Sequence, residues 1–201
     1  SATLYIFALA LFSVGTGTGS LLCEKLSART VEIGLVPLGA LGMSGFLLDL
    51  YFARPGLAPA GGLDVAGFLA APGSWRIVID LLGIGMFAGL FVVPLFALIQ
   101  SRSPNSEMSR VFAALNIQNS GFIVLAALVA LAAQQLGWTG PQLFLALAVA
   151  NLLVAAWIFT LVPEFLMRFL SWLLVRALYR MRIRGVEAHV PDDGAAVIVC
   201  N

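Results

Sequence analysis

Five long apolar stretches dominate this sequence and constrain its fold more than any other feature. They cover residues 3–22, 34–53, 76–100, 111–133 and 141–162. A helix needs about 20 mostly apolar residues to cross the hydrocarbon core of a bilayer. The 201 residues are 61% hydrophobic and only 10% charged, with a mean hydropathy of +1.00, and so small a globule has too little interior to bury this surface. The sequence therefore predicts five membrane-spanning helices, since continuous runs of this length favour helices over barrel strands.

The distribution of lysine and arginine predicts how these helices are oriented. If the segment after the first helix is cytoplasmic, nine of the eleven basic residues lie on the cytoplasmic side: Lys25, Arg29, Arg102, Arg110, Arg168, Arg176, Arg180, Arg182 and Arg184. Only Arg54 and Arg76 lie outside. The positive-inside rule then places the start of the chain outside and the residues after 163 in the cytoplasm. The net charge of +1 gives no basis for nucleic-acid binding.

The segments that connect and follow the apolar stretches carry their own patterns. Loop 54–75 is rich in Pro and Gly, apart from a short predicted helix at 64–70. A further helix is predicted at 164–181. Arginines at 168, 176, 180 and 184 form a stripe on it opposite Phe, Trp and Leu. Such a helix is typical of the membrane interface, and a cytoplasmic extension of the fifth spanning helix is the alternative.

The composition changes again near Arg184. The sequence RGVEAHVPDDG is polar and turn-forming, and AAVIVC has the character of a short buried strand. Because a single strand leaves its backbone unpaired, we expect it to be the first strand of a truncated α/β domain. The predicted organisation is thus a spanning unit at 1–163, an interfacial linker helix at 164–183 and the start of a second domain at 184–201, within a longer polypeptide.

Four polar residues within the predicted spans are candidates for a substrate pathway. Asp49 and Asp80 lie near the outer helix ends, where local pairing with Arg54 and Arg76 respectively is the simpler explanation. Asn116 and Asn119 share a face of the fourth span and lie deep enough to need hydrogen-bond partners. Interhelical hydrogen bonding and the lining of a polar cavity are both open for this pair.

Small residues crowd the first three spans, and one proline interrupts the third. Gly15 and Gly19 stack on one face of the first helix, as Gly85 and Gly89 do on the third. Close helix packing explains these glycines, and surfaces that move against each other during transport are the alternative. Pro94 predicts a kink in the third helix. The sequence has no catalytic set, no metal-ligand cluster and no cofactor motif.

Several segments resemble the major facilitator superfamily of transporters. The sequence GSLLCEKLSAR, with Glu24, Lys25 and Arg29, resembles the charged loop between helices two and three of each half of those proteins. The stretches GLFVVPLFALIQ and RVFAALNIQN are similar to the lysophospholipid transporter branch. The resemblance covers roughly residues 1–165 and implies helices eight to twelve, the C-terminal half of a facilitator fold.

The tail resembles a second family. RIRGVEAHVPDDGAAVIVCN is similar to the entry of glycerolipid acyltransferase domains, in which an Asn precedes the catalytic His, and Asn201 matches that Asn. The stretch between Gly185 and Pro191 is one residue longer than usual. The resemblance implies a His that acts as general base on a lysolipid hydroxyl and an Asp that orients it, both beyond residue 201.

Together the two resemblances imply a protein of the bacterial inner membrane. It would move lysophospholipid to a fused acyltransferase that reacylates it, with Asn116, Asn119, Asp80 and Asp49 along the substrate pathway. Arg168, Arg176, Arg180 and Arg184 would contact the membrane surface. The implied partners are membrane lipids, the lysophospholipid substrate, and the N-terminal transporter half and acyltransferase domain of the same polypeptide. A membrane anchor that transports nothing and holds a phospholipid-synthesising acyltransferase is the alternative.

Overall fold

The computed structural model describes residues 2–27, 34–53, 64–161 and 163–178, and all the regular structure in them is helical. There are seven helices: α1 (Ala2–Ser27), α2 (Leu35–Phe52), α3 (Val65–Ala70), α4 (Ser74–Arg102), α5 (Met108–Gln135), α6 (Gly140–Leu161) and α7 (Pro163–Leu178). Five of them, α1, α2, α4, α5 and α6, are long and apolar enough to cross a membrane. The prediction of an all-α fold with five helices able to span a membrane is confirmed for the described residues. The predicted strand of the tail lies outside the described residues.

Helix α4 is the centre of the bundle. It packs against α1 on one side and α2 on another, while α2 also packs against α6. The successive close approaches of α1 and α4 run in the same chain direction, from Gly15 near Leu82 to Gly19 near Met86, so these two helices are parallel. The contacts of α2 with α4 run in opposite directions, as expected for consecutive spans. Helix α7 contacts α2 and α6.

Glycines set the separation between α1 and α4. A β-carbon added to Gly15, Gly19 or Gly85 would overlap a backbone carbonyl oxygen of the facing helix. A β-carbon on Gly89 would lie 2.7 Å from the carbonyl oxygen of Thr16. The two backbones are therefore in direct contact, which maximises dispersion attraction where lipid supplies no hydrophobic drive. Gly17, between the two contact glycines of α1, has nothing within 4 Å of its added β-carbon.

The α2–α4 interface combines glycine with aromatic rings. Gly39 and Gly42 lie against Phe91 and Phe87 of α4, and Gly83 of α4 lies against the ring of Phe46 on α2. The rings of Phe87 and Phe46 occupy the space that side chains at Gly42 and Gly83 would fill, whereas Gly39 lies against the backbone of Phe91 and Phe87. The interface therefore interlocks in both directions. The glycines predicted to serve close packing are confirmed in that role at these positions.

The turn between α3 and α4 fixes one end of the bundle. The carboxylate of Asp64 caps α3 by accepting a hydrogen bond of 2.8 Å from the backbone N–H of Gly67. Gly73 precedes α4 with a φ of 85°, a left-handed conformation that glycine adopts without strain. The buried Ser74 hydroxyl donates to the carbonyls of Ala71 and Leu69, which ties the turn to α3. The short helix predicted at 64–70 is confirmed.

Candidate functional site: polar groups of the helical bundle

An ion pair joins α2 to α4 at the end of the bundle that carries α3. The guanidinium of Arg76 donates through Nε to Oδ2 of Asp49 at 2.9 Å and through a second nitrogen to Oδ1 of the same carboxylate. This bidentate geometry is the strongest form of such a pair. The sequence had suggested that Arg76 pairs with Asp80 on its own helix and Asp49 with Arg54. In the structure Arg76 pairs with Asp49 instead. Arg54 lies outside the described residues.

Asp80 lies beside this ion pair and is buried. It is 1% exposed, and its Oδ2 atom has no hydrogen-bond partner in the part of the chain that the structure describes. Its carboxyl group is close enough to that of Asp49 for the two to interact directly. The expected local pairing of Asp80 is therefore wrong, because the guanidinium four residues earlier is engaged by Asp49. A buried carboxylate oxygen without a partner is costly, which makes this the most unusual polar group in the described bundle.

A second polar contact lies at mid-helix between α6 and α2. The side-chain amide of Asn151 donates to the carbonyl of Ala40 at 2.9 Å and to the hydroxyl of Ser44 at 2.8 Å. Ser44 is 2% exposed, so both bonds lie inside the bundle. Sequence reasoning did not single out Asn151. The sequence feature that could have identified it is an amide near the middle of an otherwise apolar span, where a polar side chain needs a protein partner.

Asn116 and Asn119 lie on α5 and remain exposed, together with Gln118. They lie about 12 and 16 Å along a helix that begins at Met108. Helix α5 buries none of its residues against the other described helices, and it touches α4 through the stacked rings of Phe112 and Phe96. The four candidates for the pathway are thus not brought together: Asp49 and Asp80 interact, while the two asparagines lie on a separate helix.

The charged segment after the first span begins inside helix α1. Glu24 and Lys25 are exposed in its last turn, since α1 continues to Ser27, five residues beyond the predicted end of the span. The expectation that both residues belong to a loop is therefore wrong, while Arg29 lies outside the described residues. Lys25, Arg102 and Arg110 nonetheless share one end of the bundle, and Arg76 lies at the other.

Helix α7 carries the start of the predicted membrane-surface segment. Met167, Leu170, Leu174 and Leu178 follow helical spacing along one side and are exposed. Arg168 and Arg176 fall within this helix, and Arg180 and Arg184 lie outside the described residues. An exposed apolar stripe at this spacing is typical of a helix that rests on lipid.

An apolar groove of about 470 Å³ runs along α6. Its wall is formed by Trp138, Gln142, Leu145, Ala146, Val149, Ala150 and Leu153. Gln142, near the start of the helix, is the single amide in this wall, and the other lining residues are apolar. This chemistry suits a hydrocarbon chain.

These groups offer hydrogen bonding, charge and apolar surface, but no metal centre. The described residues include no cluster of three His, Cys, Asp or Glu side chains that could hold a metal ion. Comparison with protein-family models, with curated proteins and with solved structures gives no match to this chain.

Proposed function

We propose that the chain is the C-terminal half of a facilitator-type transporter that moves lysophospholipid across the bacterial inner membrane to a fused acyltransferase. The exposed amides of α5 carry this proposal. In a bilayer, the side chains of Asn116, Gln118 and Asn119 would face hydrocarbon without hydrogen-bond partners unless protein or water covers them. A second transporter half that encloses a polar route along α5 satisfies them.

The lipid class follows from the pairing of polar and apolar surface. A lysophospholipid has one acyl chain and a charged head group. The amides of α5 supply hydrogen bonds for the head group, and the apolar groove along α6 supplies a path for the single chain. The tightly packed α1–α4–α2 unit would serve as the rigid body of this half, which suits a transporter that works by rocking two halves against each other.

The acyltransferase part of the proposal rests on the tail and on α7. Helix α7 contacts α2 and α6, and its exposed leucines favour a position at the lipid surface. With the residues after 163 in the cytoplasm, the fused domain would receive lysophospholipid at the inner leaflet. The parent gene tests this directly. We expect the codon after Asn201 to specify His, followed by four residues and Asp, and any other sequence there removes the acyltransferase assignment.

Transport is tested with the complete parent protein in vesicles that contain a fluorescent lysophospholipid. We expect the protein to move the lipid between leaflets, and the double variant Asn116→Ala/Asn119→Ala to lose most of that activity. Leu128→Ala is the matched control, since Leu128 is an exposed apolar residue on the opposite face of the same helix and should be neutral. The present chain alone should move no lipid above empty vesicles, because five helices form only one half.

The anchor alternative makes a different prediction in the same vesicles. A pure anchor would support acylation of lysophospholipid already in the inner leaflet, yet it would move none across the bilayer. It would also be indifferent to loss of the α5 amides. Acylation without transport in the parent protein therefore overturns the transporter proposal in favour of the anchor.

A further inference from the structure

The carboxyl group of Asp80 is the one buried polar group in the described bundle that neither packing nor hydrogen bonding accounts for. It is 1% exposed, and its Oδ2 atom has no partner among the described residues. Asp80 lies about 9 Å along α4 from Ser74, close to the end of the bundle that carries α3. Something must compensate this oxygen, because an isolated buried charge is among the most costly features a protein can contain.

Among the described residues, the one cation near Asp80 is already paired. The Arg76 guanidinium donates two hydrogen bonds to Asp49, so one guanidinium balances one carboxylate. The carboxyl groups of Asp49 and Asp80 lie close enough to interact, so if both were ionised the three groups would carry one uncompensated negative charge. The side chains of Asp49 and Arg76 are 42% and 48% exposed, whereas Asp80 is buried. Burial beside a second carboxylate disfavours the charged form of Asp80, and a single proton on it removes the excess charge.

The other charged and titratable groups that the structure describes at this end of the bundle do not replace that proton. Helix α4 packs against α1, α2 and α3. At this end α1 presents Tyr5 and α2 presents Tyr51, neither of which carries positive charge. Asp64 immediately precedes helix α3, and its carboxylate caps that helix. Within the described residues, Arg76 is the cation available to Asp80.

We infer that Asp80 is a proton-binding site, formed by its buried carboxyl group beside the Asp49–Arg76 ion pair. The proton resides on Asp80 because Asp49 is the carboxylate that receives both hydrogen bonds from the guanidinium. Protonation adds one H⁺ from the outer solution to Oδ2 and makes the three-residue group neutral. Loss of the proton leaves two carboxylates competing for one guanidinium.

That competition gives the site a structural consequence. Arg76 lies four residues before Asp80 on the same helix, a spacing at which the two side chains can pair. When Asp80 is ionised, Arg76 is drawn from Asp49 of α2 towards its own helix, and the link between α2 and α4 weakens. Proton occupancy at Asp80 therefore controls how firmly this end of α2 is held to α4. This inference is independent of the lipid that the protein transports.

A proton is favoured over a metal cation by the composition of the site. Sodium would need several oxygen ligands beside an unshared carboxylate. Here the oxygens of Asp49 are engaged by Arg76, and the hydroxyl of Ser74 is directed to the carbonyls of Ala71 and Leu69. The positive guanidinium also repels a second cation. A proton requires only the Oδ2 atom itself.

Infrared difference spectroscopy of the protein in lipid vesicles tests the inference without any lysophospholipid. At neutral pH exposed carboxyl groups are ionised, and Asp80 is the one buried acidic side chain among the described residues, so we assign the carbonyl stretch of a protonated carboxyl to it. We expect this band in the unsubstituted protein, with a shift to lower frequency in D₂O. The band should be lost in Asp80→Asn and unchanged in Asp64→Asn, which alters an exposed carboxylate on α3.

Asp49→Asn provides a second test that leaves Asp80 in place. Removing the competing carboxylate frees Arg76 for Asp80, so the band should disappear although the residue that carries it is still present. Helical circular dichroism confirms that each variant is folded. A band that persists in Asp80→Asn, or that survives unchanged in Asp49→Asn, overturns the inference. So does a band that appears only when sodium is replaced by choline, since sodium would then be the ligand.

Discussion

Substituting Gly89 with alanine should separate helices α1 and α4. In the structure, a β-carbon on Gly89 would lie 2.7 Å from the carbonyl oxygen of Thr16, 2.9 Å from the backbone nitrogen of Ser20 and 3.0 Å from the carbonyl carbon of Gly19. All three are backbone atoms, so no side-chain rotation relieves the overlap. To restore an ordinary contact of 3.4 Å, the two helices must move apart by about 0.7 Å at this point.

The cost follows from overpacking and from the loss of neighbouring contacts. Forcing extra volume into a closely packed interface typically costs about 1–3 kcal/mol of the free energy of unfolding. Alanine also favours the helix over glycine by up to about 1 kcal/mol, which partly offsets this loss. Gly17→Ala on α1 adds the same methyl group with nothing within 4 Å, so it carries the propensity gain alone. The difference between the two variants isolates the overlap, and we expect it to be about 1–3 kcal/mol.

The measurement is reversible unfolding in mixed micelles of mild and denaturing detergent, followed by helical circular dichroism. Gly89→Ala should unfold at a lower fraction of denaturing detergent than Gly17→Ala, which should match or exceed the unsubstituted protein. Equal midpoints for the two variants would refute the direct contact of the α1 and α4 backbones. A loss in Gly17→Ala as large as that in Gly89→Ala would refute the assignment of the contact to one face of α1.

Three further predictions concern the rest of the described bundle. Asn151→Ala should lower the free energy of unfolding by about 0.6–1.7 kcal/mol in the same assay, because it removes the two hydrogen bonds from the Asn151 amide to α2. The control Thr160→Ala changes an exposed hydroxyl that is bonded within its own helix, so it should cost less. An equal cost in the two variants would contradict the role of the amide. In a cysteine-free background, a single cysteine at position 138 should react with an impermeant maleimide in intact cells. A single cysteine at position 105 should react only after the cells are permeabilised. The reverse pattern would show the opposite topology. A spin label at Leu174 should be relaxed by lipid-soluble oxygen more than by a water-soluble nickel complex, since we propose that the exposed apolar side of α7 faces lipid. The opposite ranking would place that face in water.

The sequence alone determined the helical elements, because the property that makes a spanning helix is local. Backbone groups in hydrocarbon must be satisfied within their own segment, so length and hydropathy predict each span without knowledge of its neighbours. The short helix α3 was also predictable from local sequence, since Asp64 provides its N-terminal cap. The errors of the sequence prediction lay at the helix ends. Helix α1 continues through Glu24 and Lys25, because charged residues can extend a helix into water as readily as they end a span.

Tertiary structure alone decided which polar and small residues meet. Gly17 and Gly19 are equivalent in sequence, yet only Gly19 abuts the backbone of α4, because two residues along a helix turn the side-chain position to a different face. Arg76 lies four residues from Asp80 and 27 positions from Asp49, yet it pairs with Asp49. Spacing along one helix specifies which residues could meet, but the packing of α2 against α4 brings the more distant carboxylate into bidentate geometry and leaves the nearer one buried. That choice depends on the separation and register of two helices, which no local pattern encodes.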